Sequence, residues 1–167
     1  MGKLFLKSIS KVNFAVLIVG TMVLLQLVNL DSDILTISYI NNYIPLILNN
    51  IYIWIIYERI NRINLVYDKI VCRISKDKLT IGYFFYVVIT IILYHILIYG
   101  SVILKIGFQS SELRPFLFFL FLNFSSLFIQ ELISSFMVGN CRLNKIVVIP
   151  VLINLIFHYV IIPGLTN

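Results

Sequence analysis

The chain has 167 residues, of which 60% are hydrophobic and only 12% are charged, and its formal net charge is +6. Soluble domains are about 45–50% apolar and about 25% charged, so this composition argues against a soluble domain and predicts a multi-pass membrane protein. Nucleic-acid binding explains the positive charge poorly, because the basic residues flank apolar segments and form no contiguous patch. The apolar runs do not alternate as barrel strands do, and unpaired backbone groups are costly in lipid, so the predicted fold class is all-α.

Five apolar segments approach the roughly 20 residues that a helix needs to cross a bilayer. They predict a single transmembrane helical domain over residues 1–167. The predicted spans are 12–30, 37–57, 80–104, 115–137 and 146–163. The second span contains Pro45 and two Asn pairs, which predict a broken helix or a polar groove. The fifth has Pro150 near its start, and both a full crossing and a re-entrant segment stay open.

Basic residues are divided unequally between the loops. Eleven of the 13 Lys and Arg residues lie before span one, between spans two and three, or between spans four and five. Positive residues stay on the cytoplasmic side of a membrane, so we expect a cytoplasmic N-terminus in the cell membrane. Five spans then place the C-terminus outside the cell.

The loop 58–78 carries the most informative pattern. Its apolar residues recur at steps of three and four, which places them on one face and predicts an amphipathic cytoplasmic helix roughly 30 Å long. A solvated loop does not need such a stripe, so the membrane surface, the rest of the bundle or a partner must cover it. Charged residues of the loop, Arg59 among them, fall largely on other faces. The stripe, which is the predicted partner-docking surface, consists of Ile60, Ile63, Tyr67, Ile70 and Ile74.

Glu131 is the one acidic residue deep inside a predicted span, and Gln130 and two serines within a turn of it make this flank of span four polar. On insertion scales the corresponding Asp at mid-membrane costs about 2.5 kcal/mol or more. Glu131 is therefore expected to face the bundle interior, to be protonated or to line a wet path. Two interpretations stay open: a translocation or proton-coupling site, and a carboxyl near the cytoplasmic end that hydrogen-bonds to neighbouring helices.

His95 and His158 are the only histidines, in spans three and five. Such a pair can bind a metal or relay a proton. A third ligand at a metal spacing and the HExxH motif are both absent, so a helix–helix hydrogen bond is favoured for each. The protease motifs GxSG and GxGD and the Walker A loop are missing too. We therefore predict no catalytic, cofactor or metal site, and a protein that is not an enzyme and leaves any ATP use to another polypeptide.

This arrangement resembles the membrane subunits of ABC-2-type exporters, in particular the small permeases of bacteriocin and antimicrobial-peptide export or immunity clusters in Gram-positive bacteria. The stretch from Tyr57 to Lys78 and the two spans that flank it carry the likeness, over roughly half of the chain. The resemblance implies a transporter subunit that moves a peptide or lipid-like substrate. In that family the segment after span two couples to a separate ATP-binding subunit. Family members usually have six spans, whereas five are predicted here.

An alternative from another class also stands. The chain would then be a non-transporting membrane accessory, scaffold or immunity protein, whose amphipathic helix binds the membrane surface or another membrane subunit. Both alternatives place the protein in the lipid bilayer.

Overall fold

A computed structural model of the chain describes residues 11–28, 33–39, 42–72, 76–107, 109–135, 138 and 148–166. The regular structure in these ranges is helical throughout, which confirms the all-α prediction. The helices are α1 (Lys11–Leu27), α2 (Ile34–Tyr39), α3 (Asn49–Asn64), α4 (Tyr67–Val71), α5 (Lys76–His95), α6 (Ser101–Ile106), α7 (Leu113–Ser135), α8 (Val148–Ile156) and α9 (Ile162–Thr166). Wider π-helical turns lie at Ile44–Leu48, Ile96–Gly100 and Phe157–Ile161, and a 3₁₀ turn lies at Ser110–Glu112.

Two helical stretches of the described chain are long and apolar enough to cross a membrane, judged by length and composition alone. They are Ile81–Ile106 and Ser110–Ser135, which correspond to predicted spans three and four. Two shorter apolar helices, Phe14–Leu27 and Val148–Gly164, lie at predicted spans one and five.

Two predicted spans contain a proline near a helix start. In predicted span two, Pro45 lies in the first turn of a helical stretch, where its missing N–H is tolerated, and the π-helical turn Ile44–Leu48 leads into α3 without a gap. The break predicted for this span lies before Pro45, since α2 ends at Tyr39 and Asn42 is in a bend. In the last segment, α8, its π-helical turn and α9 follow one another without a gap. This helix is about 28 Å long at a rise of ~1.5 Å per residue, and it does not fold back within the described residues.

The prediction of a single helix over 58–78 is wrong. α3 continues from predicted span two, without a break at residue 57, and ends at Asn64. Val66 then leaves helical geometry, with φ −123° and ψ 11°, and α4 begins at Tyr67. Residues 49–64 contain no Gly or Pro. Because nothing in this stretch breaks the helix where hydropathy falls, α3 carries the first residues of the stripe back into the bundle.

α7 is the central helix and packs against α2, α3, α5 and α8. Its buried face is polar and includes Asn123, Gln130 and Glu131. Its outer face and that of α5 expose large apolar side chains such as Phe85 and Phe121. Only 33% and 39% of the most apolar windows of the two long helices are buried. The core also contains many apolar side chains, but an apolar exterior of this extent on both long helices is unusual for a soluble helical bundle.

The hairpin between the two long helices is built by local turn chemistry. Gly107 adopts φ 83°, a left-handed conformation that glycine reaches without steric cost. Glu112 and Gln109 then form a capping box at the 3₁₀ turn before α7. Near the same end, the ammonium of Lys105 donates to the carbonyls of Leu25 and Val28. A cation at the C-terminus of α1 favours the helix dipole and ties this end of the bundle together.

Candidate functional site

A salt bridge joins α3 to α7 inside the bundle. Arg59 Nη2 donates to Glu131 Oε2 at 2.5 Å, and the two side chains are 2% and 0% exposed. The expected place of Arg59, on a charged outer face of the loop helix, is therefore wrong. Arg59 lies three and seven residues after the buried Ile56 and Tyr52, so the geometry of α3 turns it inward. A buried charge is strongly unfavourable without a partner, so the presence of each residue explains how the other is tolerated.

Three tyrosines complete the surroundings of this pair. Tyr52 donates to Glu131 Oε1 at 2.7 Å, so both carboxylate oxygens accept a hydrogen bond. Arg59 Nη2 also donates to the hydroxyl of Tyr83 at 3.2 Å. The guanidinium lies over the rings of Tyr83 and Tyr86, 5.3 and 5.0 Å from their centroids, in cation–π geometry. We call these five residues the arginine cluster; they join α3, α5 and α7.

A second set of buried polar groups, the amide cluster, ties α8 to the interrupted helix. Asn49 Nδ2 donates to Asn154 Oδ1 at 2.9 Å. Asn154 Nδ2 donates to the Pro45 carbonyl at 2.7 Å, and the Tyr94 hydroxyl donates to Asn49 Oδ1 at 2.6 Å. Asn154 is only 1% exposed. Polar side chains that bond interrupted backbone in this way make a break tolerable away from water.

Gln130 and Glu131 have different hydrogen-bond partners. The Gln130 amide donates to Ser126 Oγ of the same helix at 3.0 Å, and its side chain is 0% exposed. Further along α7, Asn123 Nδ2 donates to the Tyr99 hydroxyl at 3.0 Å. Of the flank of span four that the sequence identified as polar, Gln130, Glu131 and Ser134 are buried, whereas Ser135 is not. Gln130 and Glu131 bond to separate partners.

The histidines are kept apart from these clusters and from each other. Nδ1 of His95 donates to the carbonyl of Ile91, one turn back in the same helix, at 2.8 Å. The hydrogen bond expected between His95 and another helix is therefore wrong. His158 is buried and packs edge-on against Tyr159. Among the described residues, no group of three or more His, Cys, Asp or Glu side chains could hold a metal ion.

The bundle itself covers most of the apolar stripe. Ile60, Ile63 and Ile70 are 0%, 2% and 5% exposed and belong to the hydrophobic core. Tyr67 is partly buried against that core, and Ile74 lies outside the described residues. Of the three coverings considered from sequence, the rest of the bundle is the one observed for these side chains.

The turn between α3 and α4 instead exposes a different apolar surface. Leu65 is 84% exposed and Val66 is 41% exposed. Lys69 and Cys72 are exposed close to them. The apolar side chains of this turn do not belong to the core, so they are available for contact with another surface.

Comparison with protein-family models, with curated proteins and with solved structures finds no match to this chain. The functional argument therefore rests on the geometry. Sequence reasoning identified Glu131 but missed Arg59, Tyr52 and Tyr83 as its surroundings. One signal was available, because a carboxylate inside a span needs a counter-charge and Arg59 follows the predicted end of span two by two residues.

Proposed function

We propose that the chain is a multi-pass protein of the cell membrane, with five spans, a cytoplasmic N-terminus and an external C-terminus. The apolar exterior of the two long helices supports this proposal, because lipid would cover side chains that water solvates poorly. The hydrogen bonds among the buried polar side chains of α7 and its neighbours support it too, because polar groups away from water need partners within the protein.

The chain further fits the membrane subunit of a multi-component transporter. Such a subunit would move a peptide or lipid-like substrate while a separate subunit hydrolyses ATP. The observation that carries this proposal is the difference between the two ends of the bundle. With the proposed orientation, the arginine cluster lies towards the cytoplasmic side, where Arg59 and Tyr52 line a cavity of about 340 Å³. A cavity of about 710 Å³, twice as large, lies between the outer ends of α2, α7 and the last helix. A bundle that opens more widely on one side than on the other fits one state of an alternating-access cycle.

Docking of the ATPase is assigned to the exposed turn, because the bundle already covers the stripe. Leu65 and Val66 would supply the apolar contact on the cytoplasmic side. Interfaces depend on a few such buried anchors, so a single polar substitution there has a large effect. Leu104 is a matched control, since it is 89% exposed against 84% for Leu65 but lies at the opposite end of α5–α6.

Co-purification from native membranes tests this assignment. An ATP-binding protein should accompany the unmodified chain, and Leu65→Asp should reduce its recovery at least about tenfold by leaving a carboxylate in the interface. Leu65→Ala should also reduce recovery, whereas Leu104→Ala, the same change at matched exposure, should leave recovery unchanged. The transporter proposal fails if no ATP-binding protein accompanies the unmodified chain, and the docking assignment fails if Leu65→Asp retains the full amount.

A second candidate, a non-transporting accessory, scaffold or immunity protein, is favoured by two specific contacts. Glu131 has its counter-charge in Arg59, so its presence does not require a transport path. Ile60 and Ile63 are covered by the bundle, so they do not require a partner. Recovery of membrane partners without any ATP-binding protein would favour this candidate over the transporter.

A further inference from the structure

The cavity at the outer end of the bundle is large, apolar and uncharged. Its volume of about 710 Å³ falls within the range of roughly 300–1,000 Å³ that is typical of ligand pockets. Among the residues that the structure describes, no Lys, Arg, Asp or Glu side chain lines it. Two tyrosine hydroxyls of the lining already have hydrogen-bond partners within the protein. Tyr39 donates to the Pro115 carbonyl at 3.2 Å, and Tyr159 donates to Asn42 Oδ1 at 3.1 Å.

A second, much smaller cavity lies deeper in the bundle. It measures about 10 Å³, and its polar lining comes from Ser38, Asn49, Asn123, Tyr99 and His158. This volume is about the space that one water molecule, or one hydroxyl group, requires. His158 lines both cavities, so its side chain lies between them and the two are neighbours.

Ser38 is the group in the small cavity that lacks a partner. Its side chain is 2% exposed, and its Oγ has no hydrogen-bond partner in the described structure. Asn49 and Asn123 already donate to Asn154 and Tyr99. A buried hydroxyl without a partner is unfavourable, so a hydrogen-bonding group placed beside Ser38 would gain the bond that the protein leaves unmade.

We propose that the two cavities form one binding site for an uncharged amphiphile. Its hydroxyl group occupies the small cavity and bonds Ser38 Oγ, and its apolar chain fills the outer cavity. No charged side chain of the described lining could pair with a carboxylate or an ammonium, and a buried unpaired charge is strongly unfavourable, so the proposed ligand is uncharged in its buried part. If the bound amphiphile is the transported substrate, this site deepens the proposed transport function and rests on it. Binding of the amphiphile does not depend on that function.

Fluorescence quenching in lipid nanodiscs measures this binding directly. Trp54 is the single tryptophan of the chain and is 50% exposed on α3, outside the cavity. Phe118 lines the outer cavity and is 52% exposed, so the double substitution Trp54→Phe/Phe118→Trp moves the reporter into the site at matched exposure. The probe is a monoacylglycerol with a dibrominated chain. Its quenching should saturate for the tryptophan at 118, and it should rise linearly and weakly for Trp54 in the unmodified chain.

Two comparisons test the chemistry of the site. Ser38→Ala, in the cavity-reporter background, should weaken binding about three- to tenfold, the worth of one hydrogen bond. Ser135→Ala should not change the binding affinity, because Ser135 lies at the end of α7 that does not line the outer cavity. A dibrominated fatty acid with an ionised carboxylate should bind at least about tenfold more weakly than the monoacylglycerol. Ser38→Ala removes only an unpaired hydroxyl, so its melting temperature should not fall.

Either of two results of these measurements would refute the proposal. Linear quenching of equal slope at both tryptophans would mean that the outer cavity is a lipid-facing crevice. Saturable binding that Ser38→Ala leaves unchanged would mean that the small cavity holds water alone. Because no ATPase takes part, either result is independent of the co-purification that tests the transporter.

Discussion

Replacement of Glu131 by Gln tests the arginine cluster most sharply. From sequence, a structural Glu131 predicts a nearly silent Glu131→Gln, because the amide keeps a hydrogen-bond acceptor. The contact with Arg59 reverses that expectation. Glutamine still accepts from Tyr52, but Arg59, which is 2% exposed, is left without a counter-charge. Removal of one partner from a buried ion pair costs about 3–5 kcal/mol.

The expected shift in melting temperature follows from the size of the chain. For proteins of about 150–250 residues, 1 kcal/mol corresponds to about 2–4 °C. Glu131→Gln should therefore lower the melting temperature of the detergent-solubilised protein by about 6–20 °C, measured by the fluorescence of Trp54. The double variant Arg59→Met/Glu131→Gln removes both charges and should recover at least about half of this loss, because an apolar replacement of a buried pair is often close to neutral.

A second ion pair on the same helix provides the control. Glu58 accepts from Arg62 at 2.6 Å, but their side chains are 29% and 40% exposed. Exposed pairs contribute about 0–1 kcal/mol, so Glu58→Gln should lower the melting temperature by less than about 4 °C. Equal shifts for Glu58→Gln and Glu131→Gln, or additive effects in the double variant, would refute the buried pair.

Three further predictions follow from single contacts. Asn154→Leu removes the buried amide that bonds the Pro45 carbonyl, and it should lower the free energy of unfolding by about 1–3 kcal/mol. Tyr159→Phe removes only an exposed hydroxyl bond and should lower it by less than about 0.5 kcal/mol. Chemical unfolding in mixed micelles measures both. Gly20→Val should lower the melting temperature, because a Cβ at this position would lie 2.9 Å from the Leu48 Cδ2 methyl group. Gly100→Ala should be neutral or stabilise the fold by up to about 1 kcal/mol, because the nearest atom to its Cβ, on Ile96, lies 3.9 Å away. In a variant that lacks the other cysteine, the exposed Cys72 should react with a membrane-impermeant maleimide only after the cells are opened, and labelling of intact cells would overturn the proposed orientation.

Local pattern was informative wherever a property depends on neighbours in the chain. The apolar composition, the all-helical fold and a broken second span were predicted from residues within one or two turns of each other. The break between α3 and α4 was not predictable in this way. The stripe of Ile60, Ile63 and Ile70 has regular helical spacing, but the same spacing suits a free amphipathic helix and a helix end packed on a bundle.

The sequence by itself determined that the chain is helical and apolar on its long segments, because hydropathy and backbone propensity act within a segment. It also identified Glu131 as a carboxyl group that faces the bundle interior, is protonated or lines a wet path. Only the tertiary structure decided that the partner of Glu131 is Arg59, 72 residues away in the chain, and that Asn154 bonds a carbonyl 109 residues away. Hydrogen bonds and ion pairs extend over only about 3 Å, so their partners are set by which helix faces meet, and that choice is made by the packing of the whole bundle.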